Sequence, residues 1–137
     1  VIQDEITYKL IGCAMNVHST LGNGFQEKIY QRCLAIELKD AGIDFVREVE
    51  QSIFYKNFNV GTRRADFVID SKVVIEIKAV IRLEDAHLAQ TKNYLVAYNF
   101  DIGLLINFGA TSLEYKRIYH PRLRKNYTPS DNVKTQS

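Results

Sequence analysis

The sequence contains no tryptophan, two prolines, one methionine and two cysteines in 137 residues. So few cysteines exclude a disulfide-built scaffold, and Cys13 and Cys33 fall in apolar helical patterns without metal-type Cys/His spacing. We therefore expect both cysteines to be reduced core residues. No segment approaches the about 20 apolar residues of a membrane span, and no signal peptide is visible. These absences predict a cytoplasmic protein with no membrane partner.

Net charge is also nearly absent, because 18 basic and 16 acidic side chains leave a formal charge of +2. A charge this small does not by itself imply a polyanionic partner, so nucleic-acid binding would need local clusters of basic residues. The length and the hydrophobic content of 46% predict one globular domain. We place this domain at residues 1–125 and expect a polar, flexible tail over residues 126–137.

Two amphipathic helices are predicted at the start of the chain. Apolar side chains recur at three- and four-residue spacing over residues 2–20. A second helix is predicted from Asn23, as N-cap, to about Ala41, because Gly42 ends it. The buried stripe expected on this second helix comprises Phe25, Ile29, Cys33, Ile36 and Leu38.

A β-hairpin is predicted over residues 64–79, where apolar and polar residues alternate on both sides of a polar turn. If the hairpin is centred on Ser71, Asp66 lies directly opposite Glu76, because the two residues are equally far from the centre. This register requires an odd-length loop, since an even one would place the two acids on opposite faces. Lys78 shares the face of Glu76.

The predicted hairpin brings two carboxylates and an amine together. Such an oxygen-rich corner suits a hard divalent cation, which can activate water and neutralise charge on a phosphate. The alternative is an acid with a lysine partner on a solvated sheet face, which is common in half-exposed antiparallel sheets. The hairpin alone favours this second interpretation.

The rest of the chain combines strand and helix patterns. In the helix predicted from about Leu83 to Phe100, His87, Gln90 and Tyr94 form a polar stripe that a short crossover could place over the Glu76 face of the sheet. The whole order predicts an α/β arrangement of layers around one mixed sheet. The other predicted strands cover residues 45–50, 52–55, 102–108 and 113–119, the third buried on both faces and the fourth at an edge.

One string of residues resembles a known family. Gly24-Phe-Gln-Glu-Lys-Ile-Tyr30 is similar to the motif that names the GxxExxY protein family, and Ile106-Asn-Phe-Gly109 is also similar to that family. The resemblance extends over about residues 6–119. The family is placed in the PD-(D/E)XK nuclease-like superfamily. The resemblance therefore implies an α/β fold with a central mixed β-sheet flanked by helices, in the order ααβββ(β)αββ.

The same resemblance implies roles for individual residues. Ala65 departs from the signature, which has proline at that position. Gln90 and Tyr94 match the QxxxY motif of the exonuclease-like branch, and Lys78 would orient or deprotonate the attacking water. The implied catalytic residues are Glu27, Asp66, Glu76, Lys78, Gln90 and Tyr94. The implied ligands of one Mg²⁺ or Mn²⁺ are Asp66, Glu76, the Ile77 backbone carbonyl and Glu27. Substrate contacts are expected from Arg63, Arg64 and Tyr30.

Two classes of function stay open at this point. The first is a metal-dependent nuclease that hydrolyses phosphodiester bonds of DNA or RNA. The second is a catalytically silent module that binds nucleic acid or a protein on the same scaffold, because a fold does not establish a function. A homodimeric structural protein that retains a relic of the metal site is a third and weaker alternative, and a homo-oligomer is a possible partner state.

Overall fold

Three α-helices and six strands make up the part of the chain that the computed structural model describes, residues 2–126 and 135–136. None of the described helices is long and apolar enough to cross a membrane. A 3₁₀ helix, Pro121–Asn126, follows the fifth strand. The elements in chain order are α1 (Ile2–Leu21), α2 (Glu27–Asp40), β1 (Val46–Tyr55), β2 (Phe58–Ile69), β3 (Val73–Lys78), α3 (Asp85–Tyr98), β4 (Ile102–Asn107), β5 (Glu114–Tyr119) and β6 (Thr135–Gln136).

The described strands form one mixed sheet in the order β1-β2-β3-β4-β5-β6. Neighbouring strands are antiparallel except β3 and β4, which run parallel because α3 carries the chain back across the sheet between them. This arrangement confirms the predicted α/β class and the central mixed sheet flanked by helices. The two strands expected between residues 45 and 55 are a single strand, and the expected edge strand β5 is paired with β6. Of the predicted tail, residues 127–134 and 137 lie outside the described residues.

Two apolar layers lie on opposite faces of the sheet. The main core packs α1 and α2 against one face, where alternate residues of β3 such as Ile75 and Ile77 are buried. A smaller cluster packs α3 against the other face and contains Ala65, Val68, Val74, Leu95 and Tyr98. Strand β4 is buried along its whole length, as its nearly continuous apolar run predicts. Consecutive residues of β3 therefore contribute alternately to the two layers.

The buried face of α2 differs from the predicted one. The helix begins at Glu27 with Gln26 as N-cap, whereas Asn23 donates a side-chain hydrogen bond to the Gly109 carbonyl. Leu38 is buried as predicted. Packing against the sheet otherwise buries a neighbouring stripe of α2 that was not predicted, because tertiary contacts override local patterns. The buried residues are Tyr30, Gln31, Leu34, Ala35 and Leu38, whereas Phe25, Ile29 and Ile36 are exposed.

The hairpin between β2 and β3 has the predicted register. Phe67 pairs with Ile75, and the pairing is centred on the middle of the three-residue loop 70–72. The loop therefore has the odd length that the prediction requires. Extending the same register by one position places Asp66 opposite Glu76.

Candidate active site

Asp66 lies where the ladder between β2 and β3 ends. Its Oδ2 accepts a hydrogen bond of 2.7 Å from the backbone N–H of Ile77, beyond the last paired residues of the two strands. The ladder between β1 and β2 is also interrupted at this level, because Glu48 has a φ of 52° and is missing from the pairing. The two irregularities leave the Asp66 side chain pointing at β3.

A buried side chain on α2 holds the other oxygen of Asp66. Gln31 donates from Nε2 to Asp66 Oδ1 at 2.9 Å, and its own Oε1 accepts a hydrogen bond of 2.8 Å from Arg47. The contacts join α2, β1 and β2 and fix the rotation of the Asp66 carboxylate. Each carboxylate oxygen still has a second lone pair available for a further ligand. The sequence pattern did not identify Gln31 or Arg47 as site residues.

Glu76 is a buried acid at the centre of the site, with 1% of its surface exposed. Burial and the neighbouring Asp66 charge raise the pKa of the Glu76 carboxyl to about 8, although the Arg63 and Lys78 charges oppose this rise. Arg63 reaches Oε2 at 3.3 Å, which is longer than the about 2.7–2.9 Å of a typical charge-assisted hydrogen bond. Oε1 has no hydrogen-bond partner within the described structure. A buried carboxylate oxygen in this state is unfavourable, and a cation beside it would relieve the penalty.

Helix α3 holds the two cations of the site. Gln90 accepts a hydrogen bond of 3.2 Å from Lys78 Nζ, and the ring of Tyr94 lies 4.1 Å below the guanidinium of Arg63. Gln90 and Tyr94 of the predicted polar stripe therefore lie over the Glu76 side of the sheet, whereas His87 accepts a hydrogen bond from the backbone N–H of Glu84 at the start of α3. One turn further on, Tyr98 stacks on Tyr94, and burial together with the Glu76 charge raises the pKa of the Tyr98 hydroxyl.

The predicted site residues Tyr30 and Arg64 lie elsewhere. Tyr30 is fully buried, its ring stacks on Phe108 at 4.7 Å, and its hydroxyl donates to the Gly22 carbonyl. It supports the start of α2 from the core and is out of reach of a substrate, contrary to the expectation. Arg64 points to the opposite face of β2 from Arg63, because successive strand residues alternate.

Arg64 is already engaged on that other face. Its guanidinium forms ion pairs of 3.6 and 3.7 Å with Glu48 and Glu50 of β1. More than half of its side chain is exposed, so these pairs contribute little to stability. The position of Arg64 on the opposite face of β2 therefore does not favour the expected contact with a substrate in the site.

Glu27 is exposed at the first position of α2. It lies one turn before Gln31 on the same helix face, since residues four apart share a face. Among the residues that the structure describes, no three acidic, histidine or cysteine side chains converge as a metal-binding group. Glu27 is thus not brought to Asp66 and Glu76 as a third ligand in this conformation.

Comparisons with known proteins agree with this geometry. A family model described as PD-(D/E)XK nuclease superfamily matches residues 4–118, and the chain belongs to that superfamily. The fold of this chain is similar to that in the crystal structure of SSO0001, with 25% sequence identity and a TM-score of 0.56 over 69% of this chain. The match covers 50% of the SSO0001 chain, so this chain spans about half the length of that relative. No curated protein matches the sequence.

Proposed function

We propose that this chain is a metal-dependent nuclease that hydrolyses phosphodiester bonds in DNA or RNA. Membership in the nuclease superfamily implies a nucleic-acid substrate. The observation that carries the proposal is the buried Glu76 carboxylate, which lies beside the anchored Asp66 and keeps one oxygen without a hydrogen-bond partner within the described residues. A purely structural acid would be expected to have both oxygens satisfied.

The residues present fit one Mg²⁺ or Mn²⁺. Asp66 and Glu76 would hold the ion together with the Ile77 carbonyl, and one or two carboxylates are the usual protein share of a magnesium site. When bound, the ion would activate a water molecule and neutralise charge on the phosphate. Glu27 shares a helix face with Gln31, which contacts Asp66, but it does not converge with the two acids among the described residues, so we assign it no direct position on the ion.

The two cations held by α3 would act on the substrate. Lys78 would orient or deprotonate the attacking water and stabilise developing negative charge, with Gln90 fixing the position of its Nζ atom. Arg63 would leave its long contact with Glu76 to bind a phosphate oxygen while its guanidinium stays over the Tyr94 ring. In this proposal each residue of the QxxxY pair positions one basic side chain.

We also propose membership in the GxxExxY subfamily. The structure gives each position of the motif a physical reason. Gly24 has a φ of 114°, which favours glycine, and Glu27 begins α2, where an acid is favourable. Tyr30 closes the motif by packing in the core and binding the Gly22 carbonyl. These features support the assignment because they account for the spacing of all three residues.

Cleavage of end-labelled DNA and RNA oligonucleotides with Mg²⁺ or Mn²⁺ tests the proposal. We expect cleavage by the wild-type chain, its loss in a chelator, and its loss in Glu76→Ala. Glu50→Ala is the matched control, because Glu50 is an exposed acid of the same sheet on the other side of β1 from the site. Equal cleavage by Glu76→Ala would contradict the proposal. Metal binding without cleavage of any substrate would favour the alternative, a silent nucleic-acid-binding module.

A further inference from the structure

The outer half of the β1–β2 hairpin carries aromatic rings that the fold does not bury. Tyr55 is 63% exposed and Phe58 is 73% exposed, and both lie at the tip of the hairpin. Rings in this position contribute little to the core, and exposed apolar groups of this size commonly mark binding surfaces. Stability of the fold therefore does not explain why two large rings are exposed at the tip.

The tip holds its two rings in a defined arrangement. Tyr55 pairs directly with Phe58 and encloses a two-residue loop, Lys56–Asn57, with φ values of 47° and 68°. Positive φ at both loop residues is typical of a tight hairpin turn whose twist matches the strands. Directly opposed residues share a face, so the two rings lie side by side. The Lys56 ammonium lies 5.5 Å from the centre of the Tyr55 ring.

This face of the hairpin continues into the candidate active site. Alternation along β1 places Val49, Gln51 and Tyr55 on one face. The pairing with β2 shifts by one residue between Ile53 and Phe54, so Phe58, opposite Tyr55, and Arg63, opposite Gln51, share this face although they are five positions apart on β2. Val49 packs against the cluster beneath α3, and Gln51 pairs with Arg63, whose guanidinium reaches Glu76. Arg63 is five positions after Phe58 along the strand, which corresponds to about 16 Å. The rings are thus a few nucleotides of extended chain away from the two acids.

Basic side chains lie at both ends of the face that carries the two rings. The face with the two rings carries Lys56 and Arg63, whereas Glu50 lies on the opposite face in an ion pair with Arg64. A surface that combines aromatic rings with positive charge matches the chemistry of a single-stranded nucleic acid.

We propose that Tyr55 and Phe58 are a stacking platform for unpaired bases of single-stranded DNA or RNA, whose backbone runs past Arg63 towards Asp66 and Glu76. This inference rests on the proposed nuclease function, because that function is the reason for the nucleic-acid strand to run towards Asp66 and Glu76. Paired bases present no free ring face, so the platform favours single-stranded over duplex substrate. Base–aromatic stacking is tolerant of sequence, and the platform therefore selects strandedness and not base identity.

Fluorescence anisotropy with a labelled oligothymidylate of about 16 nucleotides, in a chelator, tests the platform without any cleavage. We expect Tyr55→Ala and Phe58→Ala each to weaken binding about tenfold. Phe54→Ala is the matched control, because Phe54 is also 63% exposed and adjacent in sequence but lies on the opposite face. We expect Phe54→Ala to bind as the wild type does, and an abasic strand of the same length to bind wild type and Tyr55→Ala equally.

Unchanged affinity in Tyr55→Ala and Phe58→Ala, or an equal loss in Phe54→Ala, would overturn the platform. A lack of any single-strand binding by the wild type would overturn it as well. Sedimentation of the same variants tests whether a second copy of the chain occupies this face instead. If Tyr55→Ala dissociates a dimer without changing the affinity for the oligonucleotide, the face is a self-association surface. Ring-dependent binding without metal-dependent cleavage would leave the platform standing and refute the nuclease proposal alone.

Discussion

The carboxylate of Asp66 accepts the backbone N–H of Ile77 at 2.7 Å, at the point where β2 and β3 stop pairing. Ile77 lies between Glu76 and Lys78 in the sequence, so this one contact holds the first acid next to the second acid and the lysine. Because the bond is made to backbone, it does not depend on the rotamer of any other side chain in the site.

The buried carboxyl of Glu76 makes the stability of the metal-free chain depend on pH. Its folded-state pKa of about 8 is above the ordinary value of 4.5, so the folded chain binds the proton more tightly than the unfolded chain. Stability contributed by this group is present below the ordinary pKa and is lost as pH rises towards about 8. We expect urea unfolding in chelator to show a decline of at most about 1.4 kcal/mol per pH unit between these values.

Glu76→Gln isolates this contribution, because glutamine keeps the shape and does not titrate in this range. We expect the variant to lose the pH dependence, while Glu50→Gln, at an exposed acid, keeps it. A slope that persists unchanged in Glu76→Gln would show that another group is responsible.

Gln31 is expected to act as a positioning residue for Asp66. Gln31→Leu removes a donor from Asp66 and an acceptor from Arg47, and both partners would lose a hydrogen bond in a partly buried setting. We expect a loss of about 1–3 kcal/mol in unfolding free energy and a loss of about 10–100-fold in Mn²⁺ affinity. Arg32→Ala is the control, at the adjacent exposed position of α2. Unchanged metal affinity in Gln31→Leu would restrict its role to the fold.

Lys78 is expected to affect the chemical step more than metal binding. Lys78→Met keeps an unbranched apolar side chain one heavy atom shorter and removes the amine that Gln90 holds at 3.2 Å. We expect the cleavage rate to fall by about 10²–10⁴-fold, with Mn²⁺ affinity close to that of the wild type. The control is Lys72→Met, an exposed lysine in the hairpin turn. A parallel loss of metal affinity and rate would argue that Lys78 only supports the site structurally.

Gly109 is expected to be required by close packing of backbone against backbone. A Cβ added there would overlap the Val80 carbonyl oxygen and amide nitrogen. The buried Asn107 side chain bonds both of those groups and the Gly109 N–H, so the two segments cannot separate freely. We expect Gly109→Ala to destabilise the chain by several kcal/mol, as is usual for severe steric strain.

The control for Gly109→Ala is Gly12→Ala in α1. A Cβ at Gly12 would meet nothing within 4 Å, and the residue is exposed in a helix. We expect this substitution to stabilise the chain by about 0.5–1 kcal/mol, because alanine is the better helix former. Thermal melts of the two variants should therefore shift in opposite directions, and shifts of the same sign would contradict the interpretation.

Alternation in the sequence predicted the hairpin, and its register followed on the condition that the loop is centred on Ser71, which the structure meets. Side chains in a strand have a period of two, and the polar loop of residues 70–72 has an odd length, so only one register brings Asp66 opposite Glu76. The position of Gln90 and Tyr94 over the site followed from their spacing on a helix that crosses back over the sheet. These features depend on local periodicity and on chain order, both of which a single sequence records.

The parts that the sequence did not predict depend on tertiary packing. Gln31 is a polar residue on a helix with two overlapping apolar stripes, and nothing local distinguishes it from a solvated side chain. Its role follows from burial of the stripe that contains Tyr30, and the same burial removes Tyr30 from the substrate side. Arg63 and Arg64 are equivalent as neighbours in sequence, and only the partners on each face of the sheet separate them.

Isothermal titration of Mn²⁺ into the wild-type chain, Asp66→Asn and Glu76→Gln tests the central claim most directly. We expect the wild type to bind one ion per chain, and both variants to lose binding although they remain folded. The absence of binding to the wild type at millimolar Mn²⁺, or undiminished binding to both variants, would contradict the claim that these two acids form a metal site.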